Sequence, residues 1–170
     1  MNFLKSLTKK VFQYEARFIL KKYKPKVVAI TGSVGKTLTK EALYLILSKN
    51  FFVRKSEKSF TTELGIPLAI IGCSRGTGTT LNWLGNILFG FSLLLKKSKY
   101  PELLILEIDA DKPGDLSKIS TWLKPDMLII TTTGEVPSHI ESFPSLENFL
   151  NEKKNIINSV KKDGVIIYNK

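Results

Sequence analysis

The sequence predicts a three-layer α/β fold, in which helices cover both faces of a mostly parallel sheet and an amphipathic helix precedes it. First, short apolar segments alternate with segments of helical periodicity, a pattern typical of parallel sheets. Second, an apolar run at 27–30 leads through a loop with two glycines into a helical pattern. Third, polar residues follow the ends of predicted strands, where ligands collect in such sheets. A ligand site at the carboxyl ends of the strands is therefore expected.

The composition is that of a globular chain with one domain. A length of 170 residues, with 43% hydrophobic and 24% charged residues, is enough to bury one core. The single cysteine, Cys73, excludes an intramolecular disulfide. With one histidine as well, His139, a zinc site or a Ser/His or Cys/His pair has almost nothing to be built from. The single cysteine makes the cytoplasm the simplest compartment. No cleavable signal peptide is expected, since no continuous apolar core follows the basic N-terminus.

The charge balance is strongly basic. The 26 lysines and arginines exceed the 15 aspartates and glutamates by 11, which favours polyanionic partners. Nucleotides, nucleic acid and an anionic membrane face fit this balance, and so does a solvated basic surface without a dedicated partner. Nucleic acid is not expected, since the chain lacks aromatic-interleaved basic patches and a recognised reading motif.

Residues 3–23 are predicted to form a basic amphipathic helix, which Pro25 ends. The apolar side chains that fall near one face are Leu4, Leu7, Val11, Phe18 and Ile19. Two interpretations remain open: the helix packs on the domain that follows, or it binds a membrane surface or a partner protein. We therefore divide the chain into a helix at 1–25 and an α/β domain at 26–170.

The segment 27–41, VVAITGSVGKTLTKE, has the pattern of a strand, a loop and a helix. Such a loop turns backbone N–H groups around a phosphate, and the helix N-terminus adds positive potential. Lys36 would then neutralise charge between the outer phosphates, and the Thr37 hydroxyl would contact Mg²⁺. The usual P-loop pattern has a glycine where Ile30 stands, so an ordinary strand-to-helix turn remains the alternative. The predicted fold class is of the P-loop type.

The remaining elements follow in order along the chain. The helix after the loop runs towards Lys49 and Asn50, and Pro67 stands in the first turn of another helix. The other predicted strands are 51–54, 103–106, 127–131 and 165–168, and the other predicted helices are 81–95, 113–122 and 145–161.

The most apolar stretch is 81–95, LNWLGNILFGFSLLL, which is followed by a lysine-rich segment at 96–99. Its 15 residues include two asparagines and two glycines and fall short of the roughly 20 that cross a bilayer. A helix buried in the fold or in a partner, and an interfacial helix anchored by Trp83 and the lysines, are both favoured over a spanning helix. Peripheral membrane contact is therefore a secondary expectation.

Two further polar residues are candidates for the site. Glu107 ends an apolar strand near the Thr37 end of the loop, where its oxygens suit Mg²⁺, and an exposed strand-end carboxylate is the alternative. Asp109 and Asp111 are alternatives to Glu107 or outer groups of the site, and are expected to be solvated. His139 stands in a loop at the ligand edge, where a functional role and a surface position are both open.

Four segments carry a resemblance to a known family. The motif T-G-x-x-G-K-T, at 31–37, resembles the loop of the Mur ligase family, the ATP-dependent enzymes that build the peptide stem of peptidoglycan. The segments 62–70, 102–120 and 139–157 are similar to segments of the member that adds D-alanyl-D-alanine. The similarity covers about residues 26–170. Leu38, Thr62 and Thr132 depart from the usual pattern, and the loop between Gly134 and His139 is longer.

The resemblance implies that 26–170 is the central ATP-binding domain and assigns roles to its residues. Those implied to contact ATP are Thr31, Gly32, Ser33, Val34, Gly35, Lys36, Thr37 and Leu38. Those implied to hold Mg²⁺ are Thr37, Glu107 and His139, and the implied catalytic residues are Lys36, His139 and Lys153. Lys153 stands at the position of a family lysine that is carbamylated in several members.

The implied function is that of an ATP-dependent carboxylate–amine ligase module of peptidoglycan precursor synthesis, acting through an acyl phosphate. Its expected substrates are a UDP-muramoyl peptide and an amino acid or dipeptide, with D-alanyl-D-alanine favoured. We expect it in the cytoplasm or at the inner membrane face, inactive as 170 isolated residues because further ligase domains or a partner chain are required. The alternative is a nucleotide-binding, catalytically degenerate Mur-like module associated with a membrane or a partner protein.

Overall fold

The computed structural model describes residues 2–57, 63–73, 80–132 and 140–169; of 2–5, 80 and 81 it describes only the backbone. The helices are α1 Asn2–Tyr23, α2 Lys36–Leu47, α3 Gly65–Ile71, α4 Thr80–Leu95, α5 Asp115–Ser120 and α6 Leu146–Asn158, with a 3₁₀ turn at Ile140–Ser142. The strands are β1 Lys26–Thr31, β2 Val53–Lys55, β3 Leu103–Glu107, β4 Met127–Ile130 and β5 Val165–Tyr168.

The five strands form one sheet in the order β2-β3-β1-β4-β5, and every pair of neighbours is parallel. The central strand, β1, pairs Ile30 with Glu107 of β3 and Thr31 with Ile130 of β4. This register brings the carboxyl ends of three strands to one edge, directly beside the loop that follows β1. The predicted fold class is confirmed.

The two faces of the sheet are covered unequally. Side chains alternate along a strand, so Val27 and Ala29 join the larger core on one face and Val28 and Ile30 the smaller core on the other. The larger core is built with α1, α3, α4, α5 and α6, whereas α2 packs on the opposite face. The side chains of β5 are exposed along the whole strand.

Several boundaries differ from those expected. The helix after the loop ends at Leu47, and β2 begins only at Val53, with Phe51 and Phe52 on the surface before the strand. The helix predicted at 113–122 is the shorter α5, and the one predicted at 145–161 is α6. Ser145 precedes α6 as its N-cap, with its hydroxyl accepting the N–H of Asn148 at 3.2 Å.

The amphipathic helix is present as α1, but the face assigned to it is only partly the packed one. Phe12, Ala16 and Ile19 are fully buried, while Leu7 and Phe18 are 50% and 56% exposed. Residues spaced by four and three positions share a helix face, so the packed face is the one that holds Phe12, Ala16 and Ile19. Of the grouped apolar residues whose side chains are described, Ile19 lies on the packed face and Val11 is half-buried, whereas Leu7 and Phe18 lie on a second face that remains open to solvent.

The apolar helix α4 packs against α1 and runs parallel to it. Phe12 and Trp83 have ring centroids 5.7 Å apart near the start of the pair, and Lys22 Nζ donates to the Leu93 carbonyl at 2.8 Å near its end. Glu15 lies against Gly90 between these two contacts. Trp83 thus packs against α1 and is not the exposed anchor that the sequence suggested. In the described part of the chain, no helix is long and apolar enough to cross a bilayer.

Candidate functional site

The loop between β1 and α2 depends on two glycines with positive φ. Gly32 and Gly35 have φ angles of 135° and 85°, a region that L side chains rarely adopt. A Cβ on Gly32 would also lie 2.8 Å from the carbonyl oxygen of Thr131. The N–H groups of Ser33 and Val34 both donate to the Thr132 carbonyl at 3.0 Å. The loop is therefore held tightly against the carboxyl end of β4.

The N-terminus of α2 lies next to this loop and is not capped by a side chain. Its N-cap, Gly35, has no side chain to offer, so the first N–H groups of the helix are not satisfied in that way. Lys36 folds back over the loop and donates to the carbonyls of Gly32 at 2.9 Å and Ser33 at 3.2 Å. Its ammonium also pairs with Asp109 at 2.8 Å. A buried cation thus occupies the concave side of the loop.

Glu107 connects the end of β3 to the first turns of α2. Its carboxylate accepts the Thr37 hydroxyl at 3.0 and 3.2 Å and pairs with Lys40 at 2.8 Å. The Lys40 side chain is completely buried and Glu107 is 4% exposed, so the alternative of an exposed strand-end carboxylate is wrong. The backbone N–H of Glu107 donates to Ser56 Oγ at 2.9 Å, which fixes the strand end.

Asp109 lies between two lysines at the centre of the site. Its carboxylate oxygens are 2.8 Å from Lys36 Nζ and 3.0 Å from Lys153 Nζ, and one accepts the N–H of Ala110. Burial favours the neutral acid, but the ammonium groups of Lys153 and Lys36 outweigh it and hold the pKa of Asp109 below its usual range. The expectation of a solvated Asp109 is therefore wrong, whereas Asp111 is exposed.

Lys153 reaches the site from α6. Its ammonium donates to Thr31 Oγ1 at 3.1 Å, in addition to its contact with Asp109. Burial lowers the pKa of Lys153, the Asp109 carboxylate opposes this, and the nearby charge of Lys36 adds to the lowering. The preceding residue, Glu152, accepts the N–H of Ser117 at 2.8 Å and so ties α6 to α5.

The structure brings most of the predicted residues together, adds Lys40, which sequence reasoning missed, and buries Asp109, which was expected in solvent. Around the loop it gathers Thr31, Gly32, Ser33, Gly35, Lys36, Thr37, Glu107 and Lys153. Val34 and Leu38 also lie there, but their side chains are 64% and 76% exposed. His139 and Thr62 lie outside the described residues.

The missed residue is Lys40, and the residue whose burial was missed is Asp109. Lys40 is one helical turn beyond Lys36, so the sequence already placed both on one face of α2. Asp109 stands two residues after Glu107, close to the same strand end. Both signals were present, but nothing in the spacing showed that these groups are buried.

Chemically, the site offers cations for an anion and oxygen donors for a hard metal. The ammonium groups of Lys36, Lys40 and Lys153 outnumber the two carboxylates that neutralise them. The hydroxyl of Thr37 and the carboxylate of Glu107 are the donor types that Mg²⁺ prefers. Among the described residues, no group of three or more His, Cys, Asp or Glu could hold a metal ion. Further ligands would have to come from elsewhere.

The sheet order and the strand–loop–helix unit after β1 define an α/β domain of the P-loop type. Residues 30–170 match the family model described as the Mur ligase middle domain, so the chain belongs to the Mur ligase family. The family resemblance of the sequence is thereby confirmed.

Curated relatives and solved structures give the same result. The chain is 29% identical over 156 residues to the UDP-N-acetylmuramoyl-tripeptide–D-alanyl-D-alanine ligase of Bacillus subtilis, covering 92% of this chain and 28% of the relative. It is 32% identical over 148 residues to the ligase of the same name from Borreliella burgdorferi, covering 87% of this chain and 26% of the relative. The MurF ligase of Thermotoga maritima, solved in complex with ADP, superimposes with a TM-score of 0.69 at 28% identity, covering 95% of this chain and 31% of that structure. The chain thus spans less than a third of the length of these relatives.

Proposed function

We propose that this chain is the ATP-binding part of an ATP-dependent carboxylate–amine ligase of peptidoglycan precursor synthesis. The observation that carries the proposal is the position of Lys36 and Thr37 at the mouth of the loop, opposite Glu107 and Asp109. The relatives are named as ligases that add D-alanyl-D-alanine to a UDP-muramoyl peptide, and a structural neighbour was solved with ADP. These names support the same substrates here.

The nucleotide phosphates would lie in the loop from Thr31 to Leu38. Lys36 Nζ now contacts the carbonyls of Gly32 and Ser33, and phosphate oxygens would replace these neutral acceptors with charged ones. The uncapped N-terminus of α2 adds N–H donors and positive potential on the same side. The loop, its lysine and the helix end therefore converge on one anion.

The oxygen donors at the end of β3 fit Mg²⁺. The Thr37 hydroxyl lies 3.0 Å from the Glu107 carboxylate, and Mg²⁺ typically takes one or two such groups together with water and phosphate oxygens. We propose Thr37, Glu107 and His139 as the protein ligands. When bound, Mg²⁺ would offset negative charge on the phosphate oxygens. Lys40 would hold the Glu107 carboxylate in place, since the two are 2.8 Å apart and buried.

The reaction would proceed in two steps. A substrate carboxylate attacks the terminal phosphorus of ATP, which gives an acyl phosphate and releases ADP. The amine of D-alanyl-D-alanine then attacks the acyl carbon, an amide forms, and phosphate leaves. Lys36 stabilises charge on the transferred group, and catalysis is mostly positioning and electrostatics.

We assign Lys153 and His139 to the catalytic set with Lys36. The lowered pKa of Lys153 increases the fraction of neutral amine, which is the form that carbon dioxide carbamylates. A carbamate would turn Lys153 from a cation into an anionic oxygen ligand beside Asp109. Its formation would break the ion pair with Asp109, so Lys36 and bound Mg²⁺ would have to balance the two anionic groups.

We further propose that residues 1–25 form an accessory helix, that 26–170 form the ATP-binding domain, and that other ligase domains or a partner chain complete the enzyme in the cytoplasm. The 170 residues alone would bind nucleotide without completing ligation. The competing function is a catalytically degenerate nucleotide-binding module held at a membrane or partner. The departures at Leu38 and Thr132 favour it, together with the exposed apolar faces of α1 and α4.

Calorimetric titration of the chain with ATP and Mg²⁺ tests the proposal. Lys36→Ala should weaken ATP binding by at least about 10-fold, since it removes a charge-assisted contact. Lys49→Ala, on the exposed end of the same helix region, is the matched control and should bind like the wild type. Equal affinity of the Lys36→Ala and wild-type chains would overturn the assignment. ATP binding without any ligation by the completed enzyme would favour the degenerate module.

A further inference from the structure

Helices α1 and α4 lie side by side and each keeps an apolar row that the fold does not cover. On α4 the row consists of Leu84, Leu88, Phe91 and Leu95, with exposed fractions from 47% to 83%. On α1 it consists of Leu7, Tyr14 and Phe18, which are at least half exposed. Spacings of four, three and four, or of seven and four, place each row on one helical face. Each helix is therefore apolar on both its packed and its solvent side.

Lysines gather at one end of this helix pair. Because α1 and α4 are parallel, their C-terminal ends meet, and the side chain of Lys22 bridges them by donating to the carbonyls of Leu93 and Leu94. The exposed lysines at this end are Lys21, Lys22, Lys24, Lys96, Lys97 and Lys99. In the part of the chain that the structure describes, no carboxylate pairs with any of these six residues. They form a basic cluster next to apolar surface.

Acidic side chains are missing from the exposed surface of both helices. Between residues 6 and 24 the only carboxylate is Glu15, which is 2% exposed and lies against Gly90. The stretch from 80 to 99 contains no aspartate or glutamate. The pair thus presents apolar and cationic groups without anions between them.

We propose that the α1–α4 pair is a membrane-binding surface that lies in the headgroup region of an anionic bilayer. Apolar rows next to lysines are the chemistry of interfacial helices, where the acyl boundary receives the leucines and the phosphates receive the ammonium groups. A second copy of the chain fits less well, because it would bring one lysine cluster against another basic surface with no acid to pair with. This surface is separate from the proposed nucleotide site and does not depend on it.

Co-sedimentation of the chain with lipid vesicles tests the inference. Binding to phosphatidylcholine vesicles with about 30 mol% phosphatidylglycerol should exceed binding to pure phosphatidylcholine by at least about 10-fold. The double variant Leu88→Gln/Leu95→Gln should lose at least about 10-fold of this binding, since it removes exposed apolar contacts without touching the core. Circular dichroism and the unfolding midpoint confirm that it remains folded.

The matched control is Leu45→Gln/Ile46→Gln, which changes two equally exposed apolar residues of α2 and should bind vesicles like the wild type. Equal binding to neutral and anionic vesicles would overturn the proposal. So would unchanged binding of the Leu88→Gln/Leu95→Gln variant. Light scattering provides the last comparison: a wild-type dimer that becomes a monomer in this variant, with no vesicle binding by either, would assign the surface to a second copy.

Discussion

Two groups of lysines in this protein differ in burial and in partners. Lys36 and Lys40 are buried, the Lys153 side chain is 11% exposed, and each of the three pairs with Glu107 or Asp109, at or just beyond the end of β3. The lysines at the ends of α1 and α4 are exposed and have no carboxylate partner among the described residues. Burying an ammonium group is costly unless it is paired, so the first group required Glu107 and Asp109. The second group is exposed to solvent and therefore needs no carboxylate partner.

The difference shows why net charge alone misleads. The formal charge of +11 treats all lysines alike, yet those of the site are already largely neutralised. The excess charge available to an outside polyanion lies mostly on the surface, including the helix pair. Substitutions in the first group should therefore change the free energy of unfolding strongly. Substitutions in the second group should change vesicle binding and leave the free energy of unfolding nearly unchanged.

The largest effect should come from breaking the most deeply buried pair. Glu107→Gln leaves the Lys40 ammonium buried without a counter-charge, and we expect a loss of about 3–5 kcal/mol in the free energy of unfolding. Urea denaturation followed by circular dichroism measures this loss. The double variant Glu107→Gln/Lys40→Met removes both charges and should recover most of the stability but not Mg²⁺-dependent ATP binding. A single variant within 1 kcal/mol of the wild type, by contrast, would mean that the pair is not truly desolvated.

Glu15 differs from both groups of lysines: it is a buried carboxyl group, and both its oxygens lack a hydrogen-bond partner in the described part of the chain. Burial raises the pKa of Glu15 from 4.5 to about 7, so the folded state binds its proton more tightly than the unfolded state. The stability that this proton provides is complete below pH 4.5 and is lost as the pH rises through 7.

The expected loss between these pH values is on the order of 3 kcal/mol, and Glu15→Gln should remove this pH dependence. Urea denaturation at a series of pH values measures the slope. Glu57→Gln, at an exposed glutamate, is the control and should keep it. An unchanged slope in the Glu15→Gln variant would show that another group titrates.

A smaller effect is expected at Asp109, whose removal leaves two ammonium groups facing each other. Asp109→Asn keeps the shape but not the charge, and should cost about 2 kcal/mol at pH 7. Asp111→Asn changes an exposed carboxylate two residues away and should alter stability by less than about 0.5 kcal/mol. Thermal and urea unfolding of the two variants provide the comparison, and equal losses would argue against a special role for Asp109.

The smallest effect should occur at the helix ends. Lys97→Ala removes an exposed charge with no carboxylate partner, so the free energy of unfolding should change by less than about 0.5 kcal/mol. Vesicle binding should nevertheless weaken measurably, and co-sedimentation measures this loss. A clear loss in the free energy of unfolding of Lys97→Ala would contradict the statement that the exposed lysines do not stabilise the fold.

The order of strands and helices was predictable because apolar runs and helical periodicity recur regularly along the chain. The loop could also be placed, since glycines at 32 and 35 suit the positive φ angles that its turn requires. The buried face of α1 was not predictable. Periodicity grouped Ile19 with Leu7 and Phe18, but packing against α3 and α4 buries Ile19 together with Phe12 and Ala16 and leaves Leu7 and Phe18 exposed. A helix that is apolar on two sides gives no local signal for which side is covered.

The residues of the candidate site that belong to a sequence motif were predictable. Those that belong to the site because they are buried were not. Lys36, Thr37 and Glu107 could be named from the loop and the strand end. Asp109 was expected in solvent and Lys40 was not considered, because depth arises from α6 and α2 closing over the strand ends. The packing of α6 and α2 over the strand ends cannot be read from the local sequence pattern around Lys40 and Asp109.

The parallel arrangement of α1 and α4 has an electrostatic consequence for the basic end of the pair. Peptide dipoles of the two helices point the same way, which places roughly half a negative charge at each C-terminus within the lysine cluster. The Lys22 ammonium already donates to the carbonyls of Leu93, Leu94 and Lys96 at this end of α4. The positive electrostatic potential at this end is consequently lower than six unit charges would give, and it corresponds to a cluster of fewer lysines.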